Sequence, residues 1–139
     1  MRKALCLLGL LIVVFGVTVA KAKHTENKVF ICKEVKGSVM ESATYFRHWE
    51  KIYAFFMFRY SGREKLVEFK WMNPQGQEEY KHQHLINKTQ LDRVTIAYSW
   101  LSLDVPSSSR IFGSKFFGVW LVKVFLDGKK VAEEQFTVD

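Results

Sequence analysis

The chain ends with FFGVWLVKVFLDGKKVAEEQFTVD, residues 116–139, and this stretch is the strongest indication of the fold. Two apolar runs flank Asp127-Gly128, a dipeptide that favours a tight turn, so the stretch predicts a β-hairpin. Both faces of its first strand are apolar: one carries Trp120, Val122 and Val124, and the other carries Val119, Leu121 and Phe125. A sheet with one face in water needs only one apolar face, so the two faces must differ in role.

The polarity of the second strand decides the register of this hairpin. A two-residue turn would pair Trp120 with Gln135, whereas a three-residue loop with Gly128 in the left-handed conformation shifts the pairing by one residue. We therefore predict the three-residue loop, Leu126–Gly128. The predicted core face then contains Trp120, Val122, Val124, Ala132, Phe136 and Val138. The opposite face contains Val119, Leu121, Lys123, Phe125, Val131, Glu133, Gln135 and Thr137.

Similar strand-like segments recur along the chain with turn residues between them. They are VFICKEV (29–35), WEKIYAFFMFRY (49–60), LVEFKWM (66–72), EEYKHQHLI (78–86) and VTIAYSWLSL (94–103). The polar EEYKHQHLI segment is typical of a strand near a sheet edge, and the spacing of Ser38 and Glu41 predicts one capped helical turn. About seven short strands without an amphipathic helix predict an all-β, antiparallel sandwich.

The hairpin also carries a resemblance. Its pattern Gly118-x-Trp120-x-Val122-x-Val124, followed by Asp127-Gly128 and Phe136-x-Val138, resembles the closing hairpin of an uncharacterised bacterial envelope domain of unknown function. The resemblance implies an immunoglobulin-like sandwich in which the aromatic residue and the valines face the core, and it loosely covers residues 29–138. It implies an envelope setting and no catalytic residue.

The first residues have the features of a secretory signal peptide. Arg2 and Lys3 precede an apolar run from Ala4 to Ala20, and Ala20-Lys21-Ala22 offers a small-x-small cleavage site. We expect a signal helix in residues 1–22, a single sandwich domain in residues 23–139, and a periplasmic or secreted location. No cysteine follows the run to accept a lipid. Retention of residues 4–20 as a membrane anchor is the alternative.

Charge and cysteine content exclude some classes of protein. Three of the seven net positive charges lie in the predicted signal segment, and the remaining basic residues alternate with acidic ones, as in KKVAEE (129–134). This dispersed pattern argues against nucleic-acid binding. After cleavage only Cys32 remains, so an internal disulfide is not expected. We interpret Cys32 as an inert buried thiol, with pairing between molecules as the alternative.

The sequence contains no recognisable catalytic motif, and we expect neither enzymatic activity nor a cofactor. Gly-x-Ser-x-Gly, Ser-x-x-Lys, His-Glu-x-x-His and glycine-rich phosphate loops are all missing. His82 and His84 lie two residues apart, so on a strand both imidazoles would point the same way. They are weak candidates for a metal site, with Tyr80 and either His24 or His48 as further candidates nearby, because the sequence places no carboxylate or cysteine to complete the ligand set. A polar stripe that faces solvent is the alternative.

The aromatic content is high: twelve Phe, five Tyr and four Trp. The long aromatic strand has more apolar residues than one core face can take, as does the first strand of the hairpin. Surplus apolar surface on an outer face would be covered by loops or would contact a partner. The candidate interface residues are Val119, Leu121, Phe125, Tyr53 and Phe55, and the candidate ligand-stacking residues are Trp49 and Trp71.

These patterns lead to one preferred function and one alternative. The preferred hypothesis is an exported, noncatalytic interaction module of the bacterial envelope, which binds a protein partner or self-associates. The alternative is a sandwich that binds a small ligand or a carbohydrate through exposed aromatic residues. Contact with a membrane is expected only if the signal segment is retained.

Overall fold

The structure is a computed structural model that describes residues 27–35, 39–60, 63–87, 93–103 and 115–139. Nine β-strands form in these residues. They are β1 (Lys28–Val35), β2 (Val39–Ser42), β3 (Tyr45–Phe46), β4 (Ile52–Tyr60), β5 (Lys65–Met72), β6 (Glu78–Ile86), β7 (Arg93–Leu101), β8 (Gly118–Leu126) and β9 (Lys129–Val138). Within these ranges no helix is long and apolar enough to cross a membrane. The predicted signal segment, residues 1–22, lies outside them.

The strands form two sheets, as the sandwich prediction requires. One has the order β2-β1-β4-β7 and is called the four-stranded sheet; the other has the order β3-β9-β8-β5-β6 and is called the five-stranded sheet. The β3–β9 pair is parallel and the other pairs are antiparallel. β6 is an edge strand, which confirms that prediction. The prediction of a helical turn across Ser38 and Glu41 is wrong, because Val39–Ser42 pairs with β1 as a strand.

The core lies between the inner faces of the two sheets, and period-two alternation along each strand supplies it. In β5, the predicted alternation is confirmed: Val67, Phe69 and Trp71 are completely buried, whereas Glu68 and Lys70 are not. The other large contributors are Ile52, Phe56 and Phe58 of β4, Trp120, Val122 and Val124 of β8, and Phe136 and Val138 of β9. The core therefore uses only one face of each strand.

The closing hairpin has the predicted core face, but its turn and its strand pairing differ from the prediction. Leu126 pairs with Lys129, so the turn has two residues, and both Asp127 (φ 51°) and Gly128 (φ 83°) have the positive φ angles of a type I′ turn. The predicted three-residue loop is wrong. A β-bulge leaves Val131 unpaired and shifts the register by one residue, so Trp120 faces Phe136 and not Gln135. At the border of this face Val122 pairs with Glu134, which remains exposed.

The cysteine of β1 is placed as expected, but its chemical state is not. Cys32 is completely buried, and the part of the chain that the structure describes contains no free cysteine. The interpretation of Cys32 as an inert thiol is therefore wrong.

Candidate functional site: an aromatic outer face

The outer side of the four-stranded sheet carries apolar side chains where a solvated sheet face would carry polar ones. Cross-strand pairing builds three rows across β1, β4 and β7: Phe30–Phe55–Tyr98, Cys32–Tyr53–Trp100 and Lys28–Met57–Ile96. Directly paired residues share a face, and the alternate residues Ala54, Phe56 and Ala97 belong to the core. We call the set Phe30, Tyr53, Phe55, Met57, Ile96, Tyr98 and Trp100 the aromatic face.

The local sequences of β4 and β7 explain why this face forms. In IYAFFMFRY (52–60) every residue up to Phe58 is apolar, so filling the core with one alternate set leaves the other set apolar as well. In β7 the small residues Ala97 and Ser99 point inward, while the large Tyr98 and Trp100 point outward. An antiparallel sheet that packs on one side normally carries polar residues on the other. The aromatic face is a departure from that pattern.

The accessible part of this face follows β7. Tyr98 is 51% exposed and Trp100 is 42% exposed, while Phe30, Phe55 and Ile96 are partly buried. Tyr53 and Met57 are only 8% and 6% exposed, although neither belongs to the core between the sheets. Tyr53 was predicted as an interface residue, but its low exposure leaves little of it for a partner to contact. A partner would instead contact its neighbours Phe55, Tyr98 and Trp100.

Ring contacts and one cation hold the face together. The Phe55 ring lies 6.2 Å from that of Tyr53 and 6.0 Å from that of Tyr98. The Nζ atom of Lys51 lies 4.0 Å from the centre of the Trp100 ring and 5.1 Å from that of Tyr53, within the range of a cation–π contact. The Tyr53 hydroxyl donates a hydrogen bond to Glu34 Oε2 at 3.2 Å. The rings are therefore positioned by contacts on both sides.

Sequence reasoning missed the two most exposed residues of this face. The alternation in VTIAYSWLSL groups Val94, Ile96, Tyr98 and Trp100, and such a set ordinarily indicates the core side of a strand. The available signal was the small size of Ala97 and Ser99, which lets β7 pack closely against the other sheet. Tyr98 and Trp100 then have to face outward.

The five predicted interface residues do not form one surface. Tyr53 and Phe55 lie on the four-stranded sheet, whereas Val119, Leu121 and Phe125 lie on the outer side of the five-stranded sheet. Val119 is 55% exposed, and Leu121 and Phe125 are partly buried. The Nζ atom of Lys70 lies 4.6 Å from the centre of the Phe125 ring and covers part of it. This second patch thus lies on the opposite side of the sandwich.

The two tryptophans predicted to stack against a ligand have different environments. Trp49 is 65% exposed, with its ring in edge contact with His48 at 4.7 Å. Trp71 is completely buried, and its Nε1 atom donates a hydrogen bond to Ser99 Oγ at 3.0 Å. Trp71 cannot act as an exposed platform, so that prediction is wrong. The alternation of β5, which groups Trp71 with Val67 and Phe69, correctly predicts that Trp71 is buried.

His82 and His84 lie side by side on β6 and face β7, which corrects the alternative of a stripe that faces solvent. Their ring centres are 4.3 Å apart. His82 Nδ1 lies 3.2 Å from Ser99 Oγ, and His84 Nε2 lies 2.6 Å from the carbonyl oxygen of Tyr98. Burial, followed by the nearby His84, lowers the pKa of His82 below its ordinary value of 6.5. The described residues contain no group of three His, Cys, Asp or Glu side chains suited to a metal.

Comparison with known proteins finds likeness only among solved structures. The chain matches no known protein family and no curated protein. It is similar to an immunoglobulin-like protein of Pseudomonas aeruginosa, with 15% identity over 80% of this chain and 91% of that chain and a TM-score of 0.47. It is also similar to part of the alkylpurine DNA glycosylase AlkC of Pseudomonas fluorescens, with 11% identity over 79% of this chain and 30% of that chain and a TM-score of 0.49. At these values neither likeness assigns a family or a function.

Proposed function

We propose that this protein is an exported, noncatalytic interaction module that binds a protein partner, or a second copy of itself, through the aromatic face. The observation that carries the proposal is the exposure of Tyr98 and Trp100 beside a core that is already filled without them. Trp and Tyr are enriched at the centres of protein interfaces, where they lose the most solvent contact on binding. The aromatic face supplies both, next to the partly buried Phe55.

The proposal includes an immunoglobulin-like architecture, and strand pairing supports it. β1, β4 and β7 are neighbours in one sheet, as are strands A, B and E of an immunoglobulin domain, and β5, β8 and β9 are neighbours in the other, as are C, F and G. Trp71 is buried on β5, the counterpart of the strand that carries the buried tryptophan of antibody domains. Such sandwiches host many unrelated functions, so the choice of a binding module rests on the aromatic face and not on the fold.

The charges around the aromatic face favour a partner that carries carboxylates. Lys28 lies at one end of the described rows and Lys51 lies at the other, whereas the acidic Glu34 accepts the hydrogen bond of Tyr53. Two copies packed face to face would bring these cations together. Complementary charge would accelerate binding and select the partner.

The proposed setting is the periplasm or the exterior of a bacterial cell. Its support is the signal-like segment of residues 1–22 together with the envelope-domain resemblance of the closing hairpin. The alternative function, binding of a small ligand or a carbohydrate, is supported by Trp49, which is 65% exposed. Trp49 lies outside the aromatic face, so the two functions can be separated by mutation.

The proposal is tested with a double variant of the exported protein, Tyr98→Ser with Trp100→Ser. We expect this change to abolish co-purification of the partner from envelope extracts, or to convert a dimer to a monomer in sedimentation velocity. The matched control is Leu85→Ser with Val119→Ser, since these residues are 56% and 55% exposed on the other sheet. The control should bind as the wild type does.

Two results would contradict the proposal. One is equal loss of binding in both double variants, which would indicate a general effect on solubility or folding. The other is loss of binding only in Trp49→Ser, which would move the site to the ligand-stacking residue.

A further inference from the structure

The open edges of the two sheets meet where β6 lies beside β7, and two histidines join them. β6 is the edge of the five-stranded sheet and β7 is the edge of the four-stranded sheet. His82 reaches the side chain of Ser99, and His84 reaches the backbone carbonyl of Tyr98. Both contacts run from β6 to β7, so each imidazole connects one sheet to the other.

The partners limit where the hydrogen atoms lie in this seam, the contact of β6 with β7. A carbonyl oxygen only accepts, so His84 carries its hydrogen on Nε2 and donates it to Tyr98 O. Trp71 Nε1 only donates, and it donates to Ser99 Oγ at 3.0 Å. The Ser99 hydroxyl keeps its own hydrogen, which it can donate to His82 Nδ1 when that nitrogen is unprotonated. In that arrangement Trp71 donates to Ser99 and Ser99 donates to a neutral His82.

We propose that His82 and His84 form an acid-sensitive clamp that holds the two sheets together at this seam. Proton uptake on Nδ1 of His82 turns an acceptor into a donor that faces the Ser99 hydroxyl, so the hydroxyl hydrogen loses its acceptor. It also places a positive charge beside the His84 ring, whose centre is 4.3 Å away. Both effects weaken the seam and loosen the Trp71 contact behind it. The clamp shares Tyr98 with the aromatic face through its backbone carbonyl, but it does not rest on the proposed function of that face.

The groups around His82 offer its positive charge no compensation. On β6 the neighbouring titratable groups are Tyr80, with its ring 6.3 Å away, and His84. The paired residue on β5 is Phe69, and β7 presents Ser99 and, beside His84, Tyr98. Burial and His84 both lower the pKa of His82, and no described carboxylate opposes them.

The direction of the pH effect follows from this lowered pKa. The unfolded chain binds a proton at His82 more readily than the folded chain, so acid favours unfolding. The stabilising contribution is complete above the ordinary value of 6.5. It is lost as the pH falls through the lowered pKa of the folded protein.

The test is a nitrogen-15 NMR titration of the exported protein between about pH 7.5 and 5.5, a window that covers histidine titration. We expect His82 to be protonated on Nε2 alone at the upper end and to titrate below 6.5. The protection factor of the Trp71 indole hydrogen, corrected for intrinsic exchange, should fall about tenfold on acidification. A change of this size corresponds to the loss of about one buried hydrogen bond. His82→Gln can still accept from Ser99 and does not titrate, so it should keep the protection at both pH values.

A second histidine variant separates the clamp from a general effect of acid. His48 is buried beside Trp49 and Phe117, away from the seam, so His48→Gln should retain the acid response of the wild type. An Nδ1 proton on His82 at neutral pH would overturn the proposal, as would unchanged Trp71 protection in acid. The same loss of protection in His82→Gln would also overturn it.

Discussion

The indole nitrogen of Trp71 and the hydroxyl of Ser99 form a hydrogen bond of 3.0 Å that connects the two sheets through the core. Both side chains are completely buried. We predict that Ser99→Ala destabilises the protein by about 1–3 kcal/mol, because it leaves the buried indole hydrogen without an acceptor. Urea unfolding measures this change.

The matched background for that prediction is Trp71→Phe, which removes the indole donor. In this background Ser99→Ala should cost distinctly less, and the difference between the two costs gives the coupling between the residues. Equal costs in the two backgrounds would show that Ser99 acts without Trp71.

The core could be predicted from the sequence wherever the alternation was unambiguous, as in Val67, Phe69 and Trp71 of β5. The core face of β8 was also predicted correctly, but through a wrong loop. The bulge at Val131 cannot be seen in the sequence, because one unpaired residue and a longer turn shift the register equally. The spacing of His82 and His84 predicts that both side chains point the same way, but it does not predict their contacts with β7.

The candidate site was harder to predict, because it depends on which strands share a sheet. β4 and β8 have similar two-faced apolar patterns, yet they lie in different sheets, so Tyr53 and Val119 belong to opposite sides of the molecule. Pairing between strands distant in sequence leaves no trace in the local alternation. The outward direction of Tyr98 and Trp100 depends on the same long-range pairing.

Asp127 links the hairpin turn to β5 through its charge. Its Oδ1 atom accepts a hydrogen bond from the Leu66 backbone N–H at 2.9 Å, and its Oδ2 atom lies 3.1 Å from Lys65 Nζ. The Leu66 hydrogen bond, followed by Lys65, lowers the pKa of Asp127 below its ordinary value of 3.8. The charged form therefore stabilises the fold above that value, and this contribution is lost as the pH falls through the lowered pKa.

We predict that Asp127→Asn, which tolerates the positive φ of this position, lowers the urea midpoint at neutral pH. The difference from the wild type should shrink to nothing in acid. Glu68 and Glu133 also have lowered pKa values, but both are present in both proteins and leave the difference unaffected. A difference that persists in acid would contradict the assignment.

Gly118 and Gly128 both have positive φ angles, but only Gly118 is crowded. A Cβ atom at Gly118 (φ 130°) would lie 3.1 Å from Pro74 Cβ, whereas one at Gly128 (φ 83°) would meet nothing within 4 Å. We predict that Gly128→Ala costs about 1–2 kcal/mol from backbone strain alone and that Gly118→Ala costs more. Thermal unfolding gives the order, and the reverse order would contradict the close approach to Pro74.

Lys51 covers the exposed ring of Trp100, and its removal should uncover that ring. In a Trp49→Phe background the tryptophans left besides Trp100 are Trp71 and Trp120, which are completely buried. We predict that Lys51→Met increases acrylamide quenching and changes stability by less than about 1 kcal/mol. Lys70→Met, which uncovers Phe125 and no tryptophan, is the control. Equal quenching in both variants would show that Lys51 does not shield Trp100.

The central claim is that the aromatic face of the four-stranded sheet is the contact surface. Photocrosslinking in living cells tests it most directly, with a photoreactive residue placed at position 100 in one strain and at position 119 in another. Both positions are exposed, on opposite sides of the sandwich. A discrete crosslinked product from position 100 and none from position 119 is the predicted result. A product from position 119 alone would contradict the claim and assign the contact to the five-stranded sheet.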